Sequence, residues 1–206
     1  MKLNIFNTAD EVLIALAAYF VEVANEAFTA RGKFSVSLSG GSSPKKLYEL
    51  LASPQFKDQI NWEKVYFFFG DERYVPHTDA ESNYLMAQKA LFDPLAIDRL
   101  NIFPVDTTLS PEDAAKQYAD EVEQFFEDDE MGFDLVLLGL GDDAHTASLF
   151  PHTDVLHDVT PSVKANFLAD KQVYRITMNA PLINEARNIA FLVYGESKAV
   201  AVHHVL

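Results

Sequence analysis

The segment 133–151, FDLVLLGLGDDAHTASLFP, constrains the fold of this chain more than any other. Leu135 to Leu138 form an unbroken apolar run, which is typical of a strand buried on both faces of a parallel sheet. Gly139 and Gly141 end the run, and titratable side chains follow at once. Because open α/β sheets bind ligands at the carboxyl ends of their strands, the segment predicts a functional cleft there.

His145 is the candidate proton-transfer group of this cleft. It follows Asp142 and Asp143 directly after the glycine turn. A single histidine is more often structural, but here a buried strand, a tight turn and two aspartates fix its place. An imidazole with a pKa of about 6.5 is suited to proton transfer near neutral pH.

A second glycine turn follows the predicted strand Phe34 to Leu38. We expect Ser43 to cap the next helix and Pro44 to be its first residue. The N–H groups of such a turn and helix start favour a phosphate, although the glycines could equally serve backbone geometry alone. The candidate phosphate-binding residues of this turn are Ser39, Gly40, Gly41 and Ser42.

A third buried strand, Val65 to Gly70, ends in the charged residues Asp71, Glu72 and Arg73. Any one such cluster could be a surface salt-bridge network. Since this is the third polar cluster at a strand end, we instead expect Asp71 and Arg73 to line the same cleft.

The remaining elements alternate between helical and strand patterns. Thr8 and Glu11 have the spacing of a capping box, and the helix after them should end near Gly32. Further helices are predicted over 83–91 and from Ser110, and an acidic link over 127–130. Further strands are predicted over 101–105, 163–167, 173–177 and 189–194, the middle two as an antiparallel hairpin.

These elements predict a single α/β domain over residues 1–206. We expect a three-layer α/β/α arrangement with a mostly parallel, Rossmann-like sheet of about six strands and a small antiparallel annex.

Composition limits the possible partners. The net charge of -15 disfavours nucleic acids and anionic membranes, since both need a positive protein surface. The N-terminus has no secretory pattern, and the chain has no cysteine. We expect no stretch to reach the roughly 20 apolar residues of a membrane span. We therefore expect a cytoplasmic protein.

Three common site types fit poorly. The histidines lack the spacing of a metal site, so no metal is predicted. No G-x-S-x-G elbow supports a serine nucleophile. Gly139, Gly141 and Ala144 match a dinucleotide fingerprint only formally, since they lie far from the first βα unit.

Four segments spanning most of the chain from Phe34 to Ala199 resemble, in order, the 6-phosphogluconolactonases and the related glucosamine-6-phosphate deaminases. Arg73 and the sequence after His145 favour the lactonases. The segments are SLSGGSSPKKLYELL, FFFGDERYVPHTDAESNY, FDLVLLGLGDDAHTASLFP and RITMNAPLINEARNIAFLVYGESKA.

The resemblance implies hydrolysis of 6-phospho-D-glucono-1,5-lactone to 6-phospho-D-gluconate in the pentose phosphate pathway, without a cofactor or metal. It implies His145 as the base near Asp71, with Arg73 as a source of positive charge. In the mechanism that we expect, Arg73 or a backbone N–H near Gly141 stabilises the oxyanion. The turn from Ser39 to Ser42 would bind the phosphate together with Lys198, and Arg175 would add positive charge.

The chain departs from the family pattern at two places. Ala144 stands where the family usually has glycine, and the chain ends eight residues after Lys198, where the family usually continues. A sugar-phosphate isomerase or deaminase and a non-catalytic sugar-phosphate sensor are the alternatives. The oligomeric state, monomer or dimer, is left open.

Overall fold

Seven strands form two sheets in the computed structural model, which describes residues 2–127 and 130–206. The strands are β1 Phe34–Leu38, β2 Val65–Phe69, β3 Asp71–Arg73, β4 Leu135–Leu138, β5 Val163–Leu168, β6 Val173–Met178 and β7 Ile189–Phe191. The helices are α1 Ala9–Arg31, α2 Ser42–Leu51, α3 Asn83–Ala87, α4 Asp93–Leu95, α5 Pro111–Phe125, α6 Ala180–Asn184 and α7 Ala199–Val205. The predicted acidic link includes residues 128 and 129, which lie outside the described residues.

The larger sheet is parallel, with strand order β2-β1-β4-β7. The prediction of about six mostly parallel strands was wrong, since the described residues hold four. The predicted strand over 101–105 is reduced to one bridge between Phe67 and Ile102. A 3-10 turn at Arg99–Asn101 immediately precedes this bridge.

The smaller sheet is antiparallel, with order β3-β6-β5. It contains the predicted hairpin, which is confirmed, and adds β3, which the sequence analysis did not predict as a strand. Gly70 connects the two sheets: its N–H donates to Leu38 O at 2.9 Å, and its carbonyl accepts from Met178 N at 2.8 Å. The chain therefore passes directly from β2 into the second sheet, and Asp71 and Arg73 are fixed by strand pairing.

The parallel sheet has a separate hydrophobic cluster on each face because alternate side chains of its strands point in opposite directions. Phe67 and Phe69 of β2 pack with α1 and α2, whereas Phe68 packs with α5 and the antiparallel sheet. The inner strands β1 and β4 are buried along their whole length, as the apolar run at Leu135–Leu138 predicted.

Helix ends follow local sequence rules at most positions. The capping box of Thr8 and Glu11 is present, and Gly32 ends α1 in the left-handed region with φ 74°. Ser110 caps α5 by accepting from Asp113 N. The predicted start of α2 was wrong: Gly41 is the N-cap and the helix begins at Ser42, without a side-chain cap.

Helix α1 reaches the range of a membrane span by length and composition alone. It has 23 residues and a mean hydropathy of 1.5 over its most apolar window, so the expectation that no stretch reaches this range was wrong. Core helices of globular proteins have the same composition. The buried side chains of α1 belong to the hydrophobic cluster, and they are Leu13, Ala17, Phe20, Val23, Ala24 and Ala27.

Candidate active site

A cavity of about 310 Å³ lies beyond the carboxyl ends of the parallel strands. The turn after β1, the strand β3 after β2, the loop after β4 and the segment after β7 all contribute to its walls. The three polar clusters predicted from the sequence therefore meet in one place. The predicted site residues that line the cavity are Ser39, Gly40, Gly41, Ser42, Asp71, Arg73, His145 and Lys198.

The glycine turn is held by two side chains from neighbouring helices. The buried hydroxyl of Tyr48 donates to Ser39 O at 2.8 Å and accepts from Ser39 N at 2.9 Å. A Cβ on Gly40 would lie 2.0 Å from Asn83 Oδ1, so only glycine fits there. Gly41 has φ 104°, which also favours glycine. Burial raises the pKa of Tyr48, against the hydrogen bond with Ser39, and keeps the phenol neutral.

Asp71 is held by a buried polar network. Its side chain accepts a 2.6 Å hydrogen bond from Ser148 Oγ, and its backbone carbonyl accepts from Asn83 Nδ2 at 2.8 Å. Ser148 is in turn held through its carbonyl, which accepts from Asn166 Nδ2 at 2.8 Å, and through a 3.2 Å bond from its N–H to Thr177 Oγ1. Asp71 is 8% exposed and lines the cavity, and these hydrogen bonds hold its side chain in place.

Glu72 does not line the cavity and instead holds the start of α3. Its buried carboxylate accepts from Asn83 N at 2.7 Å, Tyr84 N at 2.8 Å and Ser82 Oγ at 3.1 Å. Burial raises the pKa of Glu72, although these backbone hydrogen bonds oppose the rise. Glu72 is therefore a structural carboxylate that keeps Asn83 against Gly40 and Asp71.

Arg73 and Arg175 are paired residues of β3 and β6. Arg73 lines the cavity and donates to Glu81 O at 2.7 Å. Arg175 is not among the lining residues, so the structure places it beside Arg73 and not in the cavity wall. Burial and then the charge of Arg73 lower the pKa of Arg175. Its predicted contribution to ligand binding stays a prediction.

His145 is held mainly by its own loop. Its Nδ1 bonds to Asp143 Oδ1, and its ring stacks on Phe150 with centroids 3.9 Å apart. A carboxylate can only accept, so this contact puts the proton on Nδ1 and leaves Nε2 as the basic nitrogen. Burial alone would raise the pKa of Asp143, but the hydrogen bonds from His145 outweigh it and hold that pKa below its usual value.

The backbone of the His145 loop is tightly wound. Gly141 N donates to His145 O at 2.7 Å, and a Cβ on Gly141 would lie 2.2 Å from His145 Nδ1. The N–H of Gly141 therefore already has an acceptor, which leaves Arg73 as the better candidate to stabilise an oxyanion.

Two alanines of this loop have strained backbones. Ala144 has φ 65° and Ala147 has φ 48°, both in the left-handed region. A glycine at position 144 would relieve the strain there.

Lys198 reaches the cavity from the turn before α7. Its Nζ donates to Asp142 Oδ1 at 2.7 Å. Lys198 and Arg73 bring positive charge to the cavity, and His145 can gain it, although the overall charge of the chain is -15. The cavity is therefore where we expect an anionic ligand to be attracted.

Sequence analysis missed several residues that position the site, above all Tyr48, Asn83 and Ser148. Tyr48 carries a polar tip on the apolar face of α2, and Asn83 and Ser148 are polar residues beside apolar ones. Each of these is a signal of a buried hydrogen bond, but the sequence does not identify the partner. Asp143 was named only as a flanking carboxylate, although it is the group that contacts His145.

The described part of the chain contains no group of three or more His, Asp or Glu side chains arranged to hold a metal ion. The expected absence of a metal stays a prediction.

Fold and site together define an α/β protein with a cavity that holds Arg73 and Lys198 beside a histidine–carboxylate pair. The model of the glucosamine-6-phosphate isomerase/6-phosphogluconolactonase family matches residues 7–206. This chain belongs to that family, as the resemblance predicted.

Individual relatives agree with this assignment. The 6-phosphogluconolactonase of Synechocystis sp. is 43% identical over 185 residues, which cover 87% of this chain and 74% of that protein. The protein of the same name from Haemophilus influenzae is 42% identical over 164 residues, which cover 80% of this chain and 69% of that protein. The crystal structure of a 6-phosphogluconolactonase from Shewanella baltica aligns with a TM-score of 0.86 and 30% identity, covering 98% of this chain and 84% of that one.

Proposed function

We propose that the protein hydrolyses 6-phospho-D-glucono-1,5-lactone to 6-phospho-D-gluconate, a step of the pentose phosphate pathway. The observation that carries this proposal is a single cavity that joins the His145–Asp143 pair to a glycine turn, Arg73 and Lys198. The relatives named 6-phosphogluconolactonase support the same reaction.

The phosphate end of the substrate would bind between the glycine turn and Lys198. The first N–H groups of a helix have no partner within the helix, and the helix dipole favours an anion there. Helix α2 begins at Ser42, directly after the turn, so Ser39 to Ser42 and the start of this helix face the cavity. Lys198 would supply a full positive charge, and Arg175 would add to the field of Arg73.

The lactone end would lie against His145. In the proposed step, Nε2 takes a proton from water while the water oxygen bonds to C1. Asp143 fixes the ring through Nδ1 and stabilises the imidazolium that forms. The carbonyl electrons move onto oxygen, where Arg73 would stabilise the negative charge.

The intermediate then collapses with cleavage of the bond between C1 and the ring oxygen. The proton on Nε2 passes to that ring oxygen, and the carboxylic acid product loses its proton to solvent. Atoms and charges balance without a covalent nucleophile, because the ring oxygen is the leaving group.

Asp71 would accept hydrogen bonds from sugar hydroxyls, and the buried hydrogen-bond network around it would hold its side chain in position. Binding at the remote phosphate would fix C1 against the base.

A coupled assay tests this function. Freshly prepared lactone is supplied, release of 6-phosphogluconate is followed through its NADP-linked oxidation, and the uncatalysed opening of the lactone is subtracted. We expect rapid turnover of the lactone and none of glucosamine 6-phosphate or an aldose phosphate.

Two other results would replace the proposal. Turnover of an amino-sugar or aldose phosphate would make the protein a deaminase or isomerase. Binding of 6-phosphogluconate without lactone hydrolysis would make it a sensor, in line with the strained Ala144 beside His145. A cytoplasmic location and function as a monomer or dimer complete the proposal, and fractionation and light scattering would test them.

A further inference from the structure

Lys198, the lysine that lines the cavity, is bound to a carboxylate of the protein itself. Its Nζ lies 2.7 Å from Asp142 Oδ1. The Lys198 side chain is 28% exposed and that of Asp142 is 79% exposed. This ion pair joins the loop after β4 to the turn before α7. In the free protein, the cation best placed to bind an anion is therefore already paired.

We propose that Asp142 competes with the phosphate group of the ligand for Lys198 and so sets the affinity of the cavity for phosphorylated ligands. The inference rests on the proposed function, in which Lys198 binds that phosphate. It assigns Asp142 a role in affinity that is distinct from the role of its neighbour, since Asp143 holds His145.

Two physical effects act in the same direction. A phosphate that approaches Nζ must replace the carboxylate or share the ammonium with it. Since an ammonium has three donors, sharing is possible, but it leaves Asp142 close to a second anion. Like charges at such a distance repel, so both outcomes weaken phosphate binding.

The size of the effect follows from exposure. Because Asp142 is mostly in solvent, water and salt screen its charge. Exposed pairs of this kind contribute little, so removing the charge should tighten phosphate binding by about two- to five-fold.

The exposed position makes Asp142 a clean site for substitution. Asp142→Asn keeps the shape of the side chain and removes its charge. Isothermal titration with 6-phosphogluconate and with inorganic phosphate should give Kd values about two- to five-fold lower than for the natural sequence at low salt. The gain should shrink as salt is added.

Asp58→Asn is the matched control. Asp58 is exposed and is not one of the residues lining the cavity, so its substitution removes the same charge elsewhere. An equal gain in Asp58→Asn would overturn the proposal, because it would reflect net charge alone.

Lys198→Ala separates this inference from the proposed function. In the Lys198→Ala background, Asp142→Asn should no longer tighten binding. If Lys198→Ala weakens binding but Asp142→Asn leaves it unchanged or weaker, the competition is wrong and the phosphate role of Lys198 stands. If Lys198→Ala leaves Kd unchanged, that role and the competition both fail. If the natural sequence neither binds 6-phosphogluconate nor opens the lactone, the proposed function fails with them.

Discussion

Asp71 and His145 line the same cavity, but the contacts that hold them come from different distances along the chain. The partners of Asp71 are Ser148, which is 77 residues away, and Asn83, which is 12 away. The partners of His145 are Asp143 and Phe150, both within five residues. One wall of the cavity depends on tertiary packing, and the other depends on a single loop.

The difference indicates how each wall responds to substitution. A change near Asp71 disturbs a buried network that joins the antiparallel sheet to α3 and to the loop after β4, so it should lower stability as well as activity. A change in the His145 loop should alter the chemistry or local backbone strain and leave the core intact. Substitutions in the two walls test this contrast.

Replacing His145 should remove most of the activity without unfolding the protein. His145→Ala should lower kcat by about 10²- to 10⁴-fold, the usual contribution of a general base. Affinity for 6-phosphogluconate should change little, and so should the free energy of unfolding, because the hydrogen-bond and stacking partners of the ring, Asp143 and Phe150, lie in its own loop.

Steady-state kinetics, titration and urea unfolding would measure these three quantities. The exposed His157 gives a control, since His157→Ala should affect none of them. Equal losses of kcat and affinity in His145→Ala would mean that His145 binds ligand or supports the fold.

Replacing Ser148 should affect stability first. Ser148→Ala leaves a buried oxygen of Asp71 without its hydroxyl donor, which should cost about 1–3 kcal/mol in the free energy of unfolding. Urea unfolding at neutral pH measures this cost, with Ser197→Ala as the exposed serine control. An unchanged free energy would show that water replaces the hydroxyl and that the Asp71 wall is not rigidly held.

Relieving the strain at Ala144 should raise stability slightly. Glycine adopts φ 65° without the steric cost that alanine has there, so Ala144→Gly should add about 0.5–1 kcal/mol to the free energy of unfolding. The exposed Ala18 lies inside α1, and Ala18→Gly should instead lower stability by about 1 kcal/mol. A loss of stability in Ala144→Gly would mean that the chain entropy of glycine outweighs the strain.

The smallest expected effect is a pH dependence from Asp143. Its pKa in the folded state is below the value of about 3.9 expected for an unfolded chain. Its stabilising contribution is therefore complete above about pH 4 and is lost as pH falls through the lower folded pKa. Asp143→Asn should flatten this part of the stability profile, and the change should be small because the side chain is 48% exposed. Identical acid profiles for the two proteins would contradict the assignment.

Local patterns in the sequence predicted the elements that local physics controls. The apolar run Leu135–Leu138 predicted a buried strand, and the capping box at Thr8 predicted the start of α1. Turn chemistry was less reliable: Ser43 and Pro44 favoured a later start for α2, but the backbone of Gly41 makes the cap. The number of parallel strands was overestimated because an apolar segment over 101–105 forms only one bridge to its neighbour.

The sequence by itself determined the chemistry available to the site: a histidine two residues after an aspartate, glycines at two strand ends, and a few cations in an acidic chain. Those features depend on residue type and short spacing, which can be read directly. Only the tertiary structure decided that Ser148 and Asn83 hold Asp71, that Tyr48 holds Ser39, and that Lys198 pairs with Asp142. Those contacts join residues that are not neighbours in the chain, and the packing of the two sheets and the helices against them sets the distances between them.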